Sequence, residues 1–306
     1  MSPLKPPSAI TVGTFDGVHR GHRLVLDRMV ASARAGGLRS VMLTFEPHPL
    51  AVINPGSEPA LLTTPAEKHR VLEARGLDSV VTLPFTPLVQ AMAAEEFVER
   101  VLIGEHGLRE LHIGHDHGFG RGRAGDAAAL RVLGAARGFT VHVVPPVEAP
   151  DGNPVSSTAI RRAIEAGDTT AATDGLGRPY AMTGTVVRGE SRGASLGFRT
   201  LNLDLPDPRK LMPADGIYAV RATTVHGAFG GMMHLGPRPT YDDSRRVIEV
   251  HLFDAAGDWY GTDVTVHVVA RMRPIATFES GDALTRQIRA DEEGARTVLG
   301  RVPAGR

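Results

Sequence analysis

The stretch GTFDGVHRGH, residues 13–22, decides how the first part of the chain folds, because it joins two segments of different periodicity. Before it, AITVGTF (9–15) is short, apolar and β-branched, which predicts a buried strand. After it, residues 19–37 carry apolar side chains at helical spacing and end on two glycines, which predicts a helix with a glycine stop. RSVMLTFE (39–46) has the pattern of a second strand. This order of strand, helix and strand predicts a βαβ unit with a parallel sheet and a right-handed crossover.

The same alternation of helix and strand patterns continues to about residue 175. Further helices are predicted at 64–76, 93–107, 124–138 and 156–168, and further strands at 78–85, 110–116 and 139–147. Strands that alternate with helices in this way are typical of α/β folds. We therefore predict a doubly wound parallel sheet for this part of the chain.

The pattern changes after residue 181, where short strands are separated by turn dipeptides. Strands are predicted at 182–189, 216–225, 227–236, 246–254 and 264–274, followed by a helix at 280–300. Closely spaced strands of this kind predict a small antiparallel β-barrel. The seam GLGRPY (175–180) then divides the chain into domains 1–178 and 179–306.

The composition excludes several classes of function. The 306 residues carry a formal net charge of +0 and no cysteine, and the pI is about 7.3. A neutral chain has no global field that attracts nucleic acid or an anionic membrane, and without cysteine there is no disulfide, thiolate metal site or cysteine nucleophile. No run of residues has the pattern of a signal peptide or a membrane span. We expect a cytoplasmic protein that binds small molecules, and neither nucleic acid nor membrane.

The opening stretch has the features of an anion site. In an open parallel sheet, ligands bind beyond the carboxyl ends of the strands, and the start of a helix favours an anion. His19 and His22 share one face of the first helical turn, and glycines at 13, 17 and 21 let a ligand approach the backbone. The residues alone leave three interpretations open: a phosphate site, a zinc site that lacks a third ligand at familiar spacing, and a tight turn with idle histidines.

A set of motifs in order along the chain adds a resemblance to this picture. The motifs are FDGVHRGH (15–22), TFEPHP (44–49), GHDHGFGRGRAGD (114–126), SSTAIR (156–161), LGRPY (176–180), LGFRTLN (196–202), LGPRPTY (235–241) and IEVHLFD (248–254). Together they resemble the bifunctional riboflavin kinase/FMN adenylyltransferase family over nearly the whole chain. Each motif alone is short, whereas the ordered set is specific.

For the first domain, the resemblance implies transfer of AMP from ATP to FMN, which gives FAD and pyrophosphate. His19 and His22 are the implied catalytic residues, and they bind the ATP phosphates. The implied contacts to ATP and its phosphates are Gly13, Phe15, Asp16, His19, His22, Ser157, Thr158 and Arg161, and the implied flavin and nucleotide loop contains Asp116, Phe119 and Arg121. Direct in-line attack by the FMN phosphate needs no protein nucleophile, which is consistent with a chain without cysteine.

For the second domain, the resemblance implies phosphorylation of riboflavin to FMN with ATP and Mg²⁺. Glu249 matches the catalytic base, which accepts the proton of the ribityl hydroxyl during attack on the γ-phosphate. Thr200 and Asn202 match the Mg²⁺–ATP positions, with Thr200 as the implied metal ligand. The implied phosphate-covering glycines are Gly189, Gly193 and Gly197.

The kinase motif departs from the family pattern. The family has Pro-Thr-Ala-Asn where this chain has Arg199-Thr200-Leu201-Asn202, and His234 stands where the family usually has Asn. Loss of the proline loosens the backbone that aims Thr200, and Arg199 brings a fixed positive charge that weakens Mg²⁺ binding or holds a phosphate. The alternative interpretation is an FMN adenylyltransferase whose kinase domain is impaired or only binds flavin.

Two further hypotheses remain, a second enzymatic one and one from another class. One is a different nucleotidyltransferase of the HxGH type, acting on pantetheine phosphate or a cytidylyl acceptor; the predicted barrel opposes it. The other is a non-catalytic flavin-binding or regulatory protein, which the presence of His19 and His22 opposes for the first domain. The sequence leaves the oligomeric state open.

Overall fold

The computed structural model describes residues 5–123, 125–189, 198–237 and 246–301. The chain forms two compact units that divide after Ser156, with Leu61–Thr64 belonging to the second unit. Among the described residues, none of the helices is both long enough and apolar enough to cross a membrane.

The first unit contains a five-stranded parallel sheet with the strand order β3-β2-β1-β4-β5. Its strands are β1 Ser8–Val12, β2 Arg39–Glu46, β3 Ser79–Pro84, β4 Leu108–Gly114 and β5 Thr140–Val144. Chain order runs outward from β1 in one direction and from β4 in the other, so the switch point lies between these two strands. The prediction of a doubly wound parallel sheet is confirmed, and the loops after β1 and β4 lie where such folds bind ligands.

Six α-helices belong to the described part of this unit. They are α1 Arg20–Gly36, α2 Pro49–Ile53, α3 Pro65–Glu73, α4 Pro87–Ala91, α5 Ala94–Phe97, which continues as a π-helix over Val98–Glu105, and α6 Ala127–Arg137; a 3₁₀ turn spans Arg121–Arg123. The short helices α2 and α4 are absent from the sequence prediction. Each has only five residues, which is too short for a helical period to be visible.

The sheet of the first unit is buried on both faces, as a parallel sheet requires. Along β1, Ile10 and Val12 enter one apolar cluster, whereas Ala9 enters the other with Leu26 and Met29 of α1. All five residues of β1 are buried. This central strand therefore gives the loop that follows it a rigid starting point.

The second unit is a closed six-stranded barrel with the strand order β10-β7-β6-β11-β8-β9, whose described pairs are antiparallel. Its strands are β6 Tyr180–Val187, β7 Leu201–Asp204, β8 Gly216–Thr224, β9 Gly227–Gly236, β10 Val247–Leu252 and β11 Asp263–Arg273, and its helices are α7 Ser157–Ala166, α8 Thr169–Leu176 and α9 Gly281–Arg301. The predicted antiparallel barrel with a C-terminal helix is confirmed. The four-residue strand β7 is a further element that the sequence pattern did not predict.

The boundary between the compact units differs from the domain boundary predicted at 178. Helices α7 and α8 belong to the second unit; for example, the Ala214 N–H donates to the Ile164 carbonyl at 3.2 Å. A helical period does not reveal which unit a helix packs against. The alternation of these helices with strands had suggested that they belong to the first unit. The assignment of the two reactions to 1–178 and 179–306 stays a prediction.

Candidate active sites

The loop after β1 has an unusual backbone. Phe15, Gly17 and Val18 have φ values of 48°, 80° and 40°, all in the left-handed region. For a β-branched residue such as Val18 this conformation is strained and must be held by its surroundings. Phe15 and Val18 are buried in the same apolar cluster, and the Val18 N–H donates to the Phe15 carbonyl at 3.1 Å. Strain of this kind concentrates at functional sites, and here it sets the approach to the two histidines.

His19 caps the N-terminus of α1 with its side chain. Its Nδ1 accepts a hydrogen bond from the His22 backbone N–H at 3.3 Å. A neutral imidazole that accepts at Nδ1 carries its proton on Nε2, which leaves Nε2–H as a donor. A Cβ on Gly21 would lie 3.1 Å from His19 Cε1, so the glycine leaves room for this ring.

His22 stacks on His19, with 3.6 Å between ring centroids and 18° between planes. Burial lowers the pKa of His22 well below its ordinary value, and the charges of His19 and Lys68 lower it further. His22 is therefore neutral at pH 7. Its Nδ1 is buried and has no hydrogen-bond partner among the described residues. Buried polar atoms are normally paired, so this nitrogen marks a place for a ligand.

Lys68 is a site residue that the sequence interpretation missed. Helix α3 brings its Nζ to the Thr14 carbonyl at 2.8 Å and to Thr44 Oγ1 at 3.3 Å. Burial lowers the pKa of Lys68, while the charges of Asp16 and Glu46 oppose this shift. A partly desolvated ammonium group therefore holds the backbone of the loop between β1 and α1. The available signal was the rarity of lysine, because the chain has only Lys5, Lys68 and Lys210.

The other predicted residues of this unit divide into surface and core positions. The Gly13 N–H donates to the Leu43 carbonyl at 3.0 Å, and Asp16 is buried. Asp116 lies in the turn after β4 with its side chain 81% exposed, and Arg121 is also exposed.

Phe119, by contrast, packs in the core against Phe97, with 5.4 Å between ring centroids. It anchors its loop, together with the paired backbone groups of Phe119 and Gly125. The predicted contact of Phe119 with flavin or nucleotide stays a prediction.

Ser157, Thr158 and Arg161 lie in the first two turns of α7. Thr158 is exposed, and the other two are half-buried. The start of a ten-residue helix offers free N–H groups to an anion. These residues belong to the second compact unit, whereas His19 and His22 belong to the first. A phosphate site shared by both sets stays a prediction.

The second candidate site lies on the barrel around Glu249. Glu249 of β10 is half-buried and pairs in register with Asn202 of β7 on one side and with His234 of β9 on the other. Gly189 lies against the Asn202 amide, and a Cβ at position 189 would overlap the Asn202 amide nitrogen. The barrel thus brings together Gly189, Asn202, His234 and Glu249, which lie up to 60 positions apart in the sequence.

The segment that leads into β7 is anchored in spite of its altered motif. The ring N–H at Nδ1 of His251 donates to the Arg199 carbonyl at 2.8 Å, and the Phe198 ring packs edge-on against the His251 ring at 5.5 Å. The Arg199 side chain is exposed, and Thr200 is half-buried. These contacts restrain the backbone before Thr200 where the family has a proline. Gly193 and Gly197 lie outside the described residues.

Comparisons with known proteins identify both halves of the chain. Residues 2–159 match the family model described as FAD synthetase, and residues 176–299 match the one described as riboflavin kinase. The bifunctional riboflavin kinase/FMN adenylyltransferase of Pseudomonas fluorescens is 37% identical over 289 residues, which cover 94% of this chain and 92% of the relative. The protein with the same description from Escherichia coli K12 is 36% identical over 292 residues, with coverages of 95% and 92%.

One solved structure superposes over nearly the whole chain. It is described as a macrolide-efflux protein from Streptococcus pneumoniae, with a TM-score of 0.86, 34% identity and coverage of 95% of both chains.

Proposed function

Because the chain belongs to the family of bifunctional riboflavin kinase/FMN adenylyltransferases, we propose that two separate sites carry its two reactions. The chain phosphorylates riboflavin with ATP to give FMN, and it adenylylates FMN with a second ATP to give FAD and pyrophosphate. The loop between β1 and α1 is the proposed adenylyl-transfer site, and the face of β10 that carries Glu249 is the proposed kinase site. The observation that carries the first assignment is the stacked pair His19–His22 at a helix start.

In adenylyl transfer, a phosphate oxygen of FMN attacks the α-phosphorus of ATP, and the bond to pyrophosphate breaks. His19 Nε2–H and the His22 ring donate hydrogen bonds to phosphate oxygens as charge shifts to the leaving group. His22 is neutral before the substrate binds, because burial lowers its pKa. The FMN phosphate attacks directly, so no covalent intermediate with the protein is needed.

Several other residues complete the proposed adenylyl-transfer site. Gly13, Phe15 and Asp16 shape the loop on which ATP lies, and Lys68 holds that loop from α3. Ser157, Thr158 and Arg161, at the start of α7, are the residues that the family resemblance proposes for the triphosphate. The residues proposed to contact the flavin and the nucleotide are Asp116, Phe119 and Arg121.

In the kinase reaction, Glu249 accepts the proton of the ribityl hydroxyl as its oxygen attacks the γ-phosphorus of ATP. Thr200, Asn202 and Glu249 present hard oxygen donors, which suit Mg²⁺. Gly189 has no Cβ, so the Asn202 amide has room to lie beside it. Mg²⁺ bound with ATP neutralises charge on the β- and γ-phosphates. Asn202 and Thr200 are the residues that would hold it, and Gly189, Gly193 and Gly197 belong to the stretch proposed to cover the phosphates.

The alternative of an impaired kinase gains no support from this arrangement. Glu249 and Asn202 lie opposite each other, and the Arg199 peptide is anchored by His251.

The proposed location of the protein is the cytoplasm, since both reactions consume ATP.

An assay with separated flavins tests the two-site proposal. Wild-type protein is incubated with ATP, Mg²⁺ and either riboflavin or FMN, and the products are separated by chromatography. We expect His22→Ala to lower kcat for FAD formation by roughly 10²-fold, as for loss of a preorganised donor, and to leave FMN formation unchanged. We expect Glu249→Gln to abolish FMN formation and to leave conversion of FMN to FAD intact.

The matched controls are His69→Ala and Glu279→Gln, which change exposed residues of the same types. Both controls should keep both activities. Normal FAD synthesis by His22→Ala, or FMN formation by Glu249→Gln, would contradict the assignment of the corresponding site.

A further inference from the structure

We propose that Glu110, His112 and His142 form a binding site for a divalent transition metal ion, for which Zn²⁺ is the best-suited ion. Neither of the two proposed active sites uses any of these residues. Two strands bring the three side chains together: Glu110 and His112 lie on β4, and His142 lies directly opposite His112 on β5. Glu110 is two residues before His112 and so shares its face of the sheet.

The spacing of the ligand atoms fits a tetrahedral ion. The three atoms all lie within 4.8 Å of one another. Glu110 Oε2 is 3.1 Å from His112 Nε2 and 3.7 Å from His142 Nε2. Two ligands about 2.0–2.2 Å from a tetrahedral zinc ion are roughly 3.3–3.6 Å apart. These two distances fall on either side of this range, and side-chain movements that also set the distance between the two imidazole nitrogens would convert the cluster into a metal site.

The two imidazole rings are already side by side. Their centroids are 4.5 Å apart with 16° between planes, and both Nε2 atoms face the same carboxylate. His142 Nε2 is buried and lacks a hydrogen-bond partner among the described residues. At 3.7 Å it is too far from Glu110 Oε2 for a hydrogen bond. A metal ion between these atoms would satisfy that nitrogen.

The protonation states support the same conclusion. Burial would raise the pKa of Glu110, but hydrogen bonds from Ser32 and His112 outweigh it and lower that pKa. Burial lowers the pKa of His112. Metal ions bind carboxylate and neutral imidazole, so ligation through His112 Nε2 would replace the hydrogen bond to Glu110 and place the remaining ring proton on Nδ1. Ser32 Oγ donates to Glu110 Oε2 at 2.6 Å and orients it from α1, as supporting groups do at metal centres.

The ligand set decides the class of ion and the role. Two imidazole nitrogens and one carboxylate oxygen suit Zn²⁺ better than Mg²⁺ or Ca²⁺, which prefer oxygen ligands. Three protein ligands leave the fourth position of a tetrahedral ion to a water molecule. The bound ion would tie the edge strand β5 to β4. We therefore assign it a structural role in the sheet.

The test is zinc binding to the full chain after treatment with a chelator and in the absence of nucleotide. Competition of the protein with a chromophoric chelator measures the affinity and the number of Zn²⁺ ions per chain. We expect one ion with a dissociation constant in the micromolar range or below. His142→Gln and Glu110→Gln should each weaken binding by about 100-fold or more. Zn²⁺ should raise the Tm of the wild type but not that of either variant.

Two variants separate this site from other histidines. His69→Gln removes an exposed histidine that also contacts a glutamate but has no third ligand, and His22→Gln removes one of the stacked active-site histidines. Both should bind zinc as the wild type does. FAD synthesis by His142→Gln should be unchanged. The proposal is overturned if the wild type binds no zinc at a free Zn²⁺ concentration of about 100 micromolar. It is also overturned if His142→Gln binds zinc as tightly as the wild type, or if His22→Gln abolishes zinc binding.

Discussion

At the scale of single residues, the two histidines of the stretch 13–22 have different structural roles. The His19 side chain caps the N-terminus of α1 by accepting a hydrogen bond from the His22 backbone N–H, whereas the His22 side chain does not cap the helix. Loss of an N-cap costs about 1 kcal/mol. The resemblance treated the two residues as equivalent, but the structure makes His22 the cleaner probe of catalysis. Replacement of His19 affects both the chemistry and the helix.

Lys68 gives a prediction at the same scale. Lys68→Met keeps the length of the side chain but removes the donor to the Thr14 carbonyl and Thr44 Oγ1. We expect kcat/KM for FAD formation to fall roughly 10-fold, because a charge-assisted hydrogen bond contributes about 1.5–3 kcal/mol. Riboflavin phosphorylation should not change. Steady-state kinetics of both reactions measure the effect, with the exposed Lys5→Met as control. Equal kinetics for Lys68→Met and Lys5→Met would show that the ammonium group has no part in the site.

Arg199 gives a second residue-scale prediction. Its positive charge lies one position before the proposed Mg²⁺ ligand Thr200, and Arg199→Pro removes it while keeping the carbonyl that His251 binds. We expect the Mg²⁺ concentration for half-maximal FMN formation to fall about two- to tenfold, since water screens the exposed guanidinium. Titration of kinase activity with Mg²⁺ measures this. Loss of activity in Arg199→Pro would instead identify Arg199 as a phosphate ligand.

At the scale of elements, strand pairing creates the proposed kinase site. The alternation along β10 buries Ile248, Val250 and Leu252 and leaves Glu249 half-buried on the other face. The neighbours of Glu249 come from β7 and β9, which pair with β10 on its two sides. The local pattern predicts the strand, but only the barrel order selects Asn202 and His234 as the neighbours.

The close approach of Gly189 to β7 gives a prediction for this element. Gly189→Ala would force the Asn202 side chain out of its position, because a Cβ there overlaps the amide. We expect FMN formation to fall by about 10-fold or more, with FAD formation from FMN unchanged. Gly281→Ala is the matched control, since a Cβ at that glycine meets nothing within 4 Å. Unchanged FMN formation in Gly189→Ala would mean that the Asn202 amide does not need its present position.

At the scale of the whole molecule, partly buried histidines make stability depend on pH. His22, His106 and His267 all have a lowered pKa, and burial is the largest cause in each case. The folded chain therefore binds fewer protons than the unfolded chain below about pH 6.5. Stability from these residues is complete above that pH and is lost as the pH falls below it, by at most about 1.4 kcal/mol per pH unit for each histidine.

Thermal unfolding at pH 7.5, 6.5 and 5.5 in a chelator measures this effect. We expect Tm to fall steadily over this interval, and His267→Gln to reduce the fall for the barrel unit. The carboxylates with lowered pKa, such as Asp78 and Asp207, lose their contribution only below about pH 4. The two sets of groups therefore titrate in separate intervals. A Tm that stays constant or rises between pH 7.5 and 5.5 would contradict the prediction.

The sequence by itself determined the fold class and indicated where a ligand site is expected. The period of apolar residues depends only on local geometry, so it predicted α1, β2 and β9 nearly to the residue. The same argument placed the proposed anion-binding stretch at a strand–helix junction, because open parallel sheets bind ligands at the carboxyl ends of their strands. The resemblance identified the family from motifs that are local in the chain.

Only the tertiary structure decided which distant residues meet. Lys68 reaches the loop at Thr14 from a helix 54 residues away, and His142 lies beside His112 on the next strand. Helices α7 and α8 join the barrel unit although their pattern alternates with the strands of the sheet. Such contacts follow from strand order and helix packing, which depend on the burial of the whole chain. A window of sequence carries the period of an element but not the identity of its neighbours.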